Sequence, residues 1–461
     1  AQQPFVTTWE VTAGDLDITI PTNTIDYTYD YTIDFGDGTI LNNQTGNVTH
    51  TYSTSGIYQV SISGLFPHFY SEDIYNGSNP NLNLKSVDQW GDNQWQSMNS
   101  MFYNSHNLTF NATDVPDLLQ VTNMRRMFYE AESFNDNIND WDVSNVTDIS
   151  SSFNGAESFN QPLDNWDVSS VVDMSGMFFR ASSFNQPLDN WDVSNVTDIS
   201  SSFNGAESFN QPLDNWDVSN VTDMHGMFSN SSYNQPLNMW NVSNVTDMRI
   251  MFSNYSSYNQ PLNNWDVSNV TDMYFMFSHS SYNQPLNNWD VSNVTDMHGM
   301  FNNSSYNQPL NNWDVSNVTD MYFMFENSNF NQDINNWDVS NVTHMYRMFQ
   351  GALFNQPLNN WDVSNVQELD QMFAGAIHFN QPLDNWDVSN VSSAFGFWSM
   401  FEDASSFNQD LSNWQFPNGK LPNFADDSGM SIENYDLLIE NLVNLDIDNG
   451  TLGAENIEYC D

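Results

Sequence analysis

Apolar residues return along this chain at a spacing far longer than that of a helix or a strand. Tryptophans fall at positions 141, 166, 191, 216, 240, 265, 289, 313, 337, 361, 386 and 414, at intervals of 24 or 25 residues until a last interval of 28. The polar and apolar order around each is nearly constant, clearest as Phe/Tyr-Asn-Gln-Pro-Leu-(Asp/Asn)-Asn-Trp-Asp-Val-Ser-Asn-Val-Thr-Asp-Met. A unit of this length cannot bury its own apolar face, whereas stacked neighbours bury a continuous core, so the period predicts one coil per copy. In Leu213-Asp214-Asn215-Trp216-Asp217-Val218 the apolar residues stand at relative positions 1, 4 and 6, which predicts one short inward-facing strand per coil. Val221, Met224 and Phe228 follow at i, i+3 and i+7, the stripe of a short helix. Asn220 and Asp223 would then be its cap and answering acid. The 24-residue copies lose a residue between Phe228 and Tyr233, where a connection tolerates deletion.

Four regions follow. Residues 1–67 alternate as strands do, in Asp17-Ile18-Thr19-Ile20 and Tyr58-Gln59-Val60-Ser61-Ile62, and read as a small β-sandwich. Inside it Gly36-Asp37-Gly38 supplies the positive φ angles of a hairpin turn. Residues 68–112 form an irregular capping coil that leads into Met101-Phe102, and 113–417 are the repeats, beginning with a degenerate copy from Asp114 to Phe128. Residues 418–461 close the stack with a helix over Ser431 to Leu445, where Tyr435, Leu437, Leu438 and Leu442 have helical spacing. The longest interval carries Ser393-Ala394-Phe395-Gly396-Phe397-Trp398, read as a bulge or a partner contact.

The apolar frame of each coil resembles the Leu-x-x-Leu-x-Leu of a leucine-rich repeat, although the expected Asn at position 9 is Val221 and Asn220 stands at 8. The fold class expected is therefore an α/β solenoid, leucine-rich-repeat-like, with one short parallel strand and one short helix per coil, preceded by an all-β sandwich. Asp34-Phe35-Gly36-Asp37-Gly38, His50-Thr51-Tyr52 and Gly56-Ile57-Tyr58-Gln59-Val60 resemble a polycystic-kidney-disease (PKD) type domain, which implies an extracellular spacer. From about residue 85 to 415 the copies resemble the BspA-type surface-protein repeats of bacteria, and Asn241, Gln415 and Glu368 depart from that consensus. This resemblance implies an exported protein associated with adhesion. It also implies a secretion-sorting tail, which is not visible here, so a processed or partial product is expected.

Composition narrows the partners. Lys and Arg number 7 against 58 Asp and Glu, a net charge of −51, which argues against nucleic acid and anionic membranes, both of which are bound through clustered Lys and Arg. Polyvalent cations, basic proteins and neutral glycans remain. Aromatic residues make up 15% of the chain and recur periodically, unlike a disordered acidic chain. The single cysteine, Cys460, excludes a disulfide frame and a cysteine metal cluster. No run of 18 apolar residues spans a membrane. The opening Ala1-Gln2-Gln3 lacks an initiator Met and a secretory leader, as after removal of a signal peptide. Nine Asn-Val-Thr copies, Asn145 and Asn220 among them, are glycosylation acceptors in a eukaryotic source.

Residues repeated at one place in each coil form rows. Asp142, Asp167, Asp192, Asp217, Asp266, Asp290, Asp314, Asp338, Asp362 and Asp387 follow the tryptophans, with Asn241 interrupting. On adjacent strands such carboxylates repel by roughly 1 kcal/mol in bulk water. Splayed side chains with counterions would relieve this, and so would Ca²⁺ bridging Asp and neighbouring Asn oxygens, since calcium takes six to eight oxygens. Asp148, Asp173, Asp198, Asp223, Asp247, Asp272, Asp296 and Asp320, continued by His344 and Glu368, read as helix caps, with ligand binding as the alternative. Asn160, Asn185, Asn210, Asn234, Asn259, Asn283 and Asn307 read as an amide row serving the turns, and exposed Tyr beside them would stack on sugars. No His-Glu-x-x-His, Gly-x-Ser-x-Gly or phosphate-loop motif is present, and no cofactor is expected to be required. The reading is a non-enzymatic, extracellular repeat protein mediating adhesion to a cell-surface protein or glycan through its acidic face. The alternative is a structural subunit of a surface layer, filament or secretion-associated assembly.

Overall fold

The computed structural model describes residues 2–71, 83–391, 396–417, 420–445 and 451–457. Cys460 and Ser393 to Phe395 lie outside the described residues. The chain divides into two compact units, one of Ala1–Val221 with Asn230–Gln235, the other of Thr222–Ser229 with Pro236–Asp461.

The first unit opens with the expected sandwich. Its strands are β1 (Phe5–Val11), β2 (Asp17–Ile20), β3 (Asp30–Asp34), β4 (Ile40–Gln44), β5 (Val48–Thr51) and β6 (Gly56–Leu65), and burial alternates along β1, β2 and β3, most regularly in β1, where Phe5, Thr7, Trp9 and Val11 are buried. The β3–β4 hairpin turns through Gly36 and Gly38, at φ +78° and +97°, as the Gly-Asp-Gly spacing predicts. Tyr52 Oη donates to the Phe35 carbonyl at 2.9 Å and pins the turn. The sheet does not stop at residue 67. Strands β7 (Leu84–Gln89) and β8 (Thr109–Phe110) extend it in the order β4-β3-β6-β1-β7-β8, facing the two-stranded β2-β5. Because β8 pairs with β7 in parallel, coil-to-coil pairing grows directly from the edge of the sandwich. It continues as single parallel bridges at Gln94↔Asp117, Asn123↔Asp148, Asp148↔Asp173 and Asp173↔Asp198.

The helix expected in every coil is absent, and the α/β solenoid is thereby corrected: among the described residues the one α-helix lies at the C-terminal end. From Met174 the amide N–H groups alternate. Those of Met174, Gly176, Phe178 and Arg180 donate to Asp198, Ser200, Ser202 and Asn204 of the next coil at 2.7–3.0 Å, while those of Met177, Phe179 and Ala181 turn back to Met174, Gly176 and Phe178, each at 3.1 Å. A helix needs an unbroken i→i−4 ladder; here every second donor is spent on the neighbour. Gly176 and Arg180 also take left-handed φ values of +60° and +56°, which interrupt a right-handed helix. The strand expected at Leu163-Trp166-Val168 is likewise a turn, with Trp166 N–H bonded to Leu163 at 3.1 Å, and the parallel bridge falls at Asp173 instead.

The inward set is as the period predicts. Phe159, Leu163, Trp166, Val168, Val171, Met174, Met177, Phe178 and Ala181 are all buried. Large apolar side chains gain about 1.5–3 kcal/mol each on burial, so their sum exceeds the roughly 1–2 kcal/mol that a left-handed non-glycine residue costs. The Trp166, Trp191 and Trp216 indole N–H groups donate to Ile138, Leu163 and Leu188 carbonyls of the preceding coil at 2.9–3.1 Å.

The second unit repeats this anatomy. Met273, Phe275, Phe277 and His279 N–H groups reach the next coil at 2.8–3.1 Å, and Phe277, Phe301 and Phe325 stack at 5.7–5.8 Å with 4° between planes. The end is closed as expected by α1 (Ile432–Asn444), capped by Ser431. Leu438 is buried and Asn441 Nδ2 donates to the Trp414 carbonyl at 2.8 Å. Around α1 in sequence, β9 (Lys420–Leu421) and β10 (Thr451–Leu452) pair in parallel.

Candidate functional site

The carboxylates that follow the tryptophans are exposed, as expected. In Asp142, Asp167, Asp192, Asp217, Asp266, Asp290, Asp314, Asp338, Asp362 and Asp387, Oδ1 accepts the N–H of the serine two residues on at 3.0–3.1 Å. Each closes an Asx turn. Hydrogen bonds from Ser144 and Ser268, hydroxyl first and then N–H, hold Asp142 and Asp266 below the usual carboxylate range. The row does not gather three ligating side chains. Among the described residues the one such group of His, Asp and Glu is Asp223, His225 and Asp247.

The second row is corrected from helix cap to turn acceptor. Asp148, Asp173, Asp198, Asp223, Asp247, Asp272, Asp296 and Asp320 take the N–H two residues on at 2.9–3.0 Å. The N–H that a helix cap would serve is that of a helix, and none starts there. These residues carry the parallel bridges, continued by His344 and Glu368. At Asp247 the guanidinium of Arg249 adds a bidentate pair at 2.6–3.0 Å. Burial raises the pKa of Asp272 and Asp320.

The amide row serves the turns as expected. Asn160, Asn185 and Asn210 Oδ1 accept the N–H of Asn185, Asn210 and Asn234, and Asn259 and Asn283 those of Asn283 and Asn307, at 2.8–3.1 Å. The tyrosines beside it, Tyr233, Tyr258, Tyr282 and Tyr306, are fully buried, so they offer no ring to a sugar.

What sequence reasoning missed lies between the two methionines of each coil. The pair there is Asn99-Ser100, Arg125-Arg126, Ser175-Gly176, His225-Gly226, Arg249-Ile250, Tyr274-Phe275, His298-Gly299, Tyr322-Phe323 and Tyr346-Arg347 in the coils that hold methionine on both sides, and Asp370-Gln371 where Leu369 replaces the first. The Met-x-x-Met-Phe frame that brackets the pair recurs while the pair itself changes, and that contrast is the signal. In the second unit His298, Tyr322, Phe323, Tyr346, Glu368, Asp370 and Trp398 line a groove of about 450 Å³. Tyr322 and Tyr346 meet edge to face at 5.9 Å and 90°, and Phe323 and Tyr346 at 5.2 Å and 72°. Tyr322 Oη donates to Glu368 Oε2 at 2.6 Å. Asp370, only 6% exposed, accepts the Trp398 N–H on Oδ1 at 3.2 Å, and burial pushes its carboxyl up to about 7. Arg347 is held beside the groove, its Nε on Gln371 Oε1 at 2.6 Å and its guanidinium over the Tyr346 ring at 4.8 Å. Aromatic faces with carboxylates between them can hold an organic cation.

A PKD-type sandwich joined to acidic, turn-built coils of 24 or 25 residues defines a surface-type repeat protein. The comparisons give the family: residues 96–213, 186–285, 276–353 and 326–423 match "Mycoplasma protein of unknown function, DUF285", and residues 6–64 match the PKD domain. The repeat matches run from residue 96 to 423, well over half of the 461 residues, and the chain belongs to the DUF285 family. No curated protein and no solved structure matches it. No helix among the described residues is long and apolar enough to cross a membrane.

Proposed function

We propose that this is an exported surface protein of the BspA type that attaches to a protein or glycan on a cell surface, with the PKD-type domain as spacer and with binding rather than catalysis as its role. On this reading it works outside the cell. One observation carries the reading: in coils that are otherwise nearly identical, the variable pair gathers aromatic rings and carboxylates into one groove. Constant positions maintain the stack, and variable outward positions supply specificity. The net charge of −51 adds a long-range field that attracts basic surfaces and repels acidic ones.

The test is binding of soluble full-length protein to intact cells and to a glycan array. Attachment predicts saturable binding that Tyr346→Ala with Trp398→Ala weakens at least tenfold, while Asp314→Asn on the constant row leaves it within twofold. Oligomers that grow with concentration in the absence of any ligand, without cell binding, would favour the structural subunit instead.

A further inference from the structure

We propose that the aromatic groove seats a lysine or arginine side chain of an extended basic segment of a partner protein, and that the carboxylate row leading to it guides the neighbouring basic residues; this rests on the surface-attachment reading above. The two acids of the groove need a cation that the chain does not supply. Among the described residues no lysine or arginine pairs with Glu368 or Asp370. The contrast with an earlier coil is direct. At the same two positions Asp247 is followed two residues later by Arg249, which neutralises it in place, whereas Glu368 is followed by Asp370, a second acid. Arg347, beside the groove, is engaged by Gln371, the Tyr346 ring and, at 3.9 Å, the Glu326 carboxylate.

Asp370 is more than nine-tenths buried and lines the groove, where its Oδ1 accepts the Trp398 N–H and no lysine or arginine among the described residues neutralises it. A buried carboxylate left in this state is unfavourable unless paired. Tyr322, Phe323, Tyr346 and Trp398 line the same groove, and Trp398 is 39% exposed. Rings around a carboxylate suit a cation on an apolar stem, because the stem lies on the rings while the charge reaches the acid. A neutral sugar would use the rings and leave both acids desolvated. Extension of the partner follows from the approach. Asp272, Asp296, Asp320, His344 and Glu368 form a continuous parallel-bridged row, with neighbours about 4.8 Å apart, a mostly acidic line along which an extended basic chain can lie.

Isothermal calorimetry with the full-length protein tests this with a synthetic nonapeptide of alternating lysine and serine, its lysine-acetylated form, and free Nα-acetyl-lysine methylamide. The expected order is binding of the lysine peptide, at least tenfold weaker binding of the acetylated one, and at least tenfold weaker binding of the single amino acid. Glu368→Gln with Asp370→Asn should weaken the lysine peptide at least tenfold, and Asp296→Asn with Asp320→Asn two- to fivefold with a shallower salt dependence. Equal affinity for the acetylated peptide, or for the free amino acid, overturns the proposal. Should the groove variant fail to fold, the three ligands on the unaltered protein still decide. Cell binding that survives in a folded groove variant would leave surface attachment standing while this inference falls. Peptide binding without any cell binding would do the reverse.

Discussion

Trp313→Phe probes the joint between coils. The Trp313 indole is 4% exposed, lies parallel to Trp337 at 6.4 Å and 4°, and donates Nε1–H to the Leu286 carbonyl of the preceding coil at 2.9 Å. Phenylalanine keeps a ring in the core but removes the donor, leaving a carbonyl beside the fully buried Leu286 side chain without that partner, at about 1–3 kcal/mol. The smaller ring also leaves roughly 40 Å³ unfilled, worth about 1 kcal/mol at the usual cost of cavities. The expected destabilisation is therefore about 2–4 kcal/mol. Because a repeat stack is held by nearest-neighbour interfaces, the loss should be local. Amide hydrogen exchange read by mass spectrometry should show it as faster exchange in peptides covering residues 286–337, with residues 83–140 unchanged. Urea unfolding supplies the magnitude, with Asp314→Asn as the exposed control. A Trp313→Phe protein within about 0.5 kcal/mol of the original, the range of neutral surface changes, would refute the inter-coil role of the indole.

Other outcomes follow from single residues. Asp370 has a folded-state pKa of about 7, above the ordinary value near 3.9. The folded chain therefore keeps a proton that the unfolded chain releases between about pH 4 and 7, and its stability falls as pH rises through that window. Asp370→Asn, measured by thermal melting, should gain over the original protein from pH 5 to pH 8 by roughly 1–2 kcal/mol, discounted for the open groove; an equal difference at both pH values would contradict this. The Tyr282 hydroxyl is buried without a hydrogen-bond partner, and Phe330 and Phe354 occupy the same place in later coils, so Tyr282→Phe should be neutral or stabilising by up to about 1–2 kcal/mol. Gly299 sits at φ +60° with the Phe275 ring against its Cα; Gly299→Ala should lower stability by about 1–2 kcal/mol or more in urea unfolding. Calcium titration tests the exposed Asp row: with Oδ1 committed to its own serine in each coil, chelation should leave the melting temperature unchanged, and a rise of several degrees on adding millimolar Ca²⁺ would make the row a calcium site.

The period and the residues that face inward were legible in the sequence, because burial imposes the same order on every copy. Trp, Leu, Val, Met and Phe are buried as expected. The helix was not legible, since Val221, Met224 and Phe228 have the spacing that a helix shares with a chain of three-residue turns. A counter-signal stood in the glycines at 155, 176, 205, 226 and 299, which all take left-handed φ and are poor choices for a helix interior. The roles of the Asp rows are not legible in sequence, because Asp-x-Ser closing on itself is a property of the folded turn. The groove escaped notice for the opposite reason. Constant positions carry the repeat pattern, whereas Tyr322, Tyr346, Asp370 and Trp398 lie in or beside the variable pairs.

The central claim is that coils are built from turns whose alternate N–H groups serve the neighbouring coil. Far-ultraviolet circular dichroism of the full-length protein tests it most directly. Helix limited, among the described residues, to the 13 of α1 predicts a helical fraction of a few per cent, whereas a fraction several times larger, as one short helix per coil would give, would contradict it.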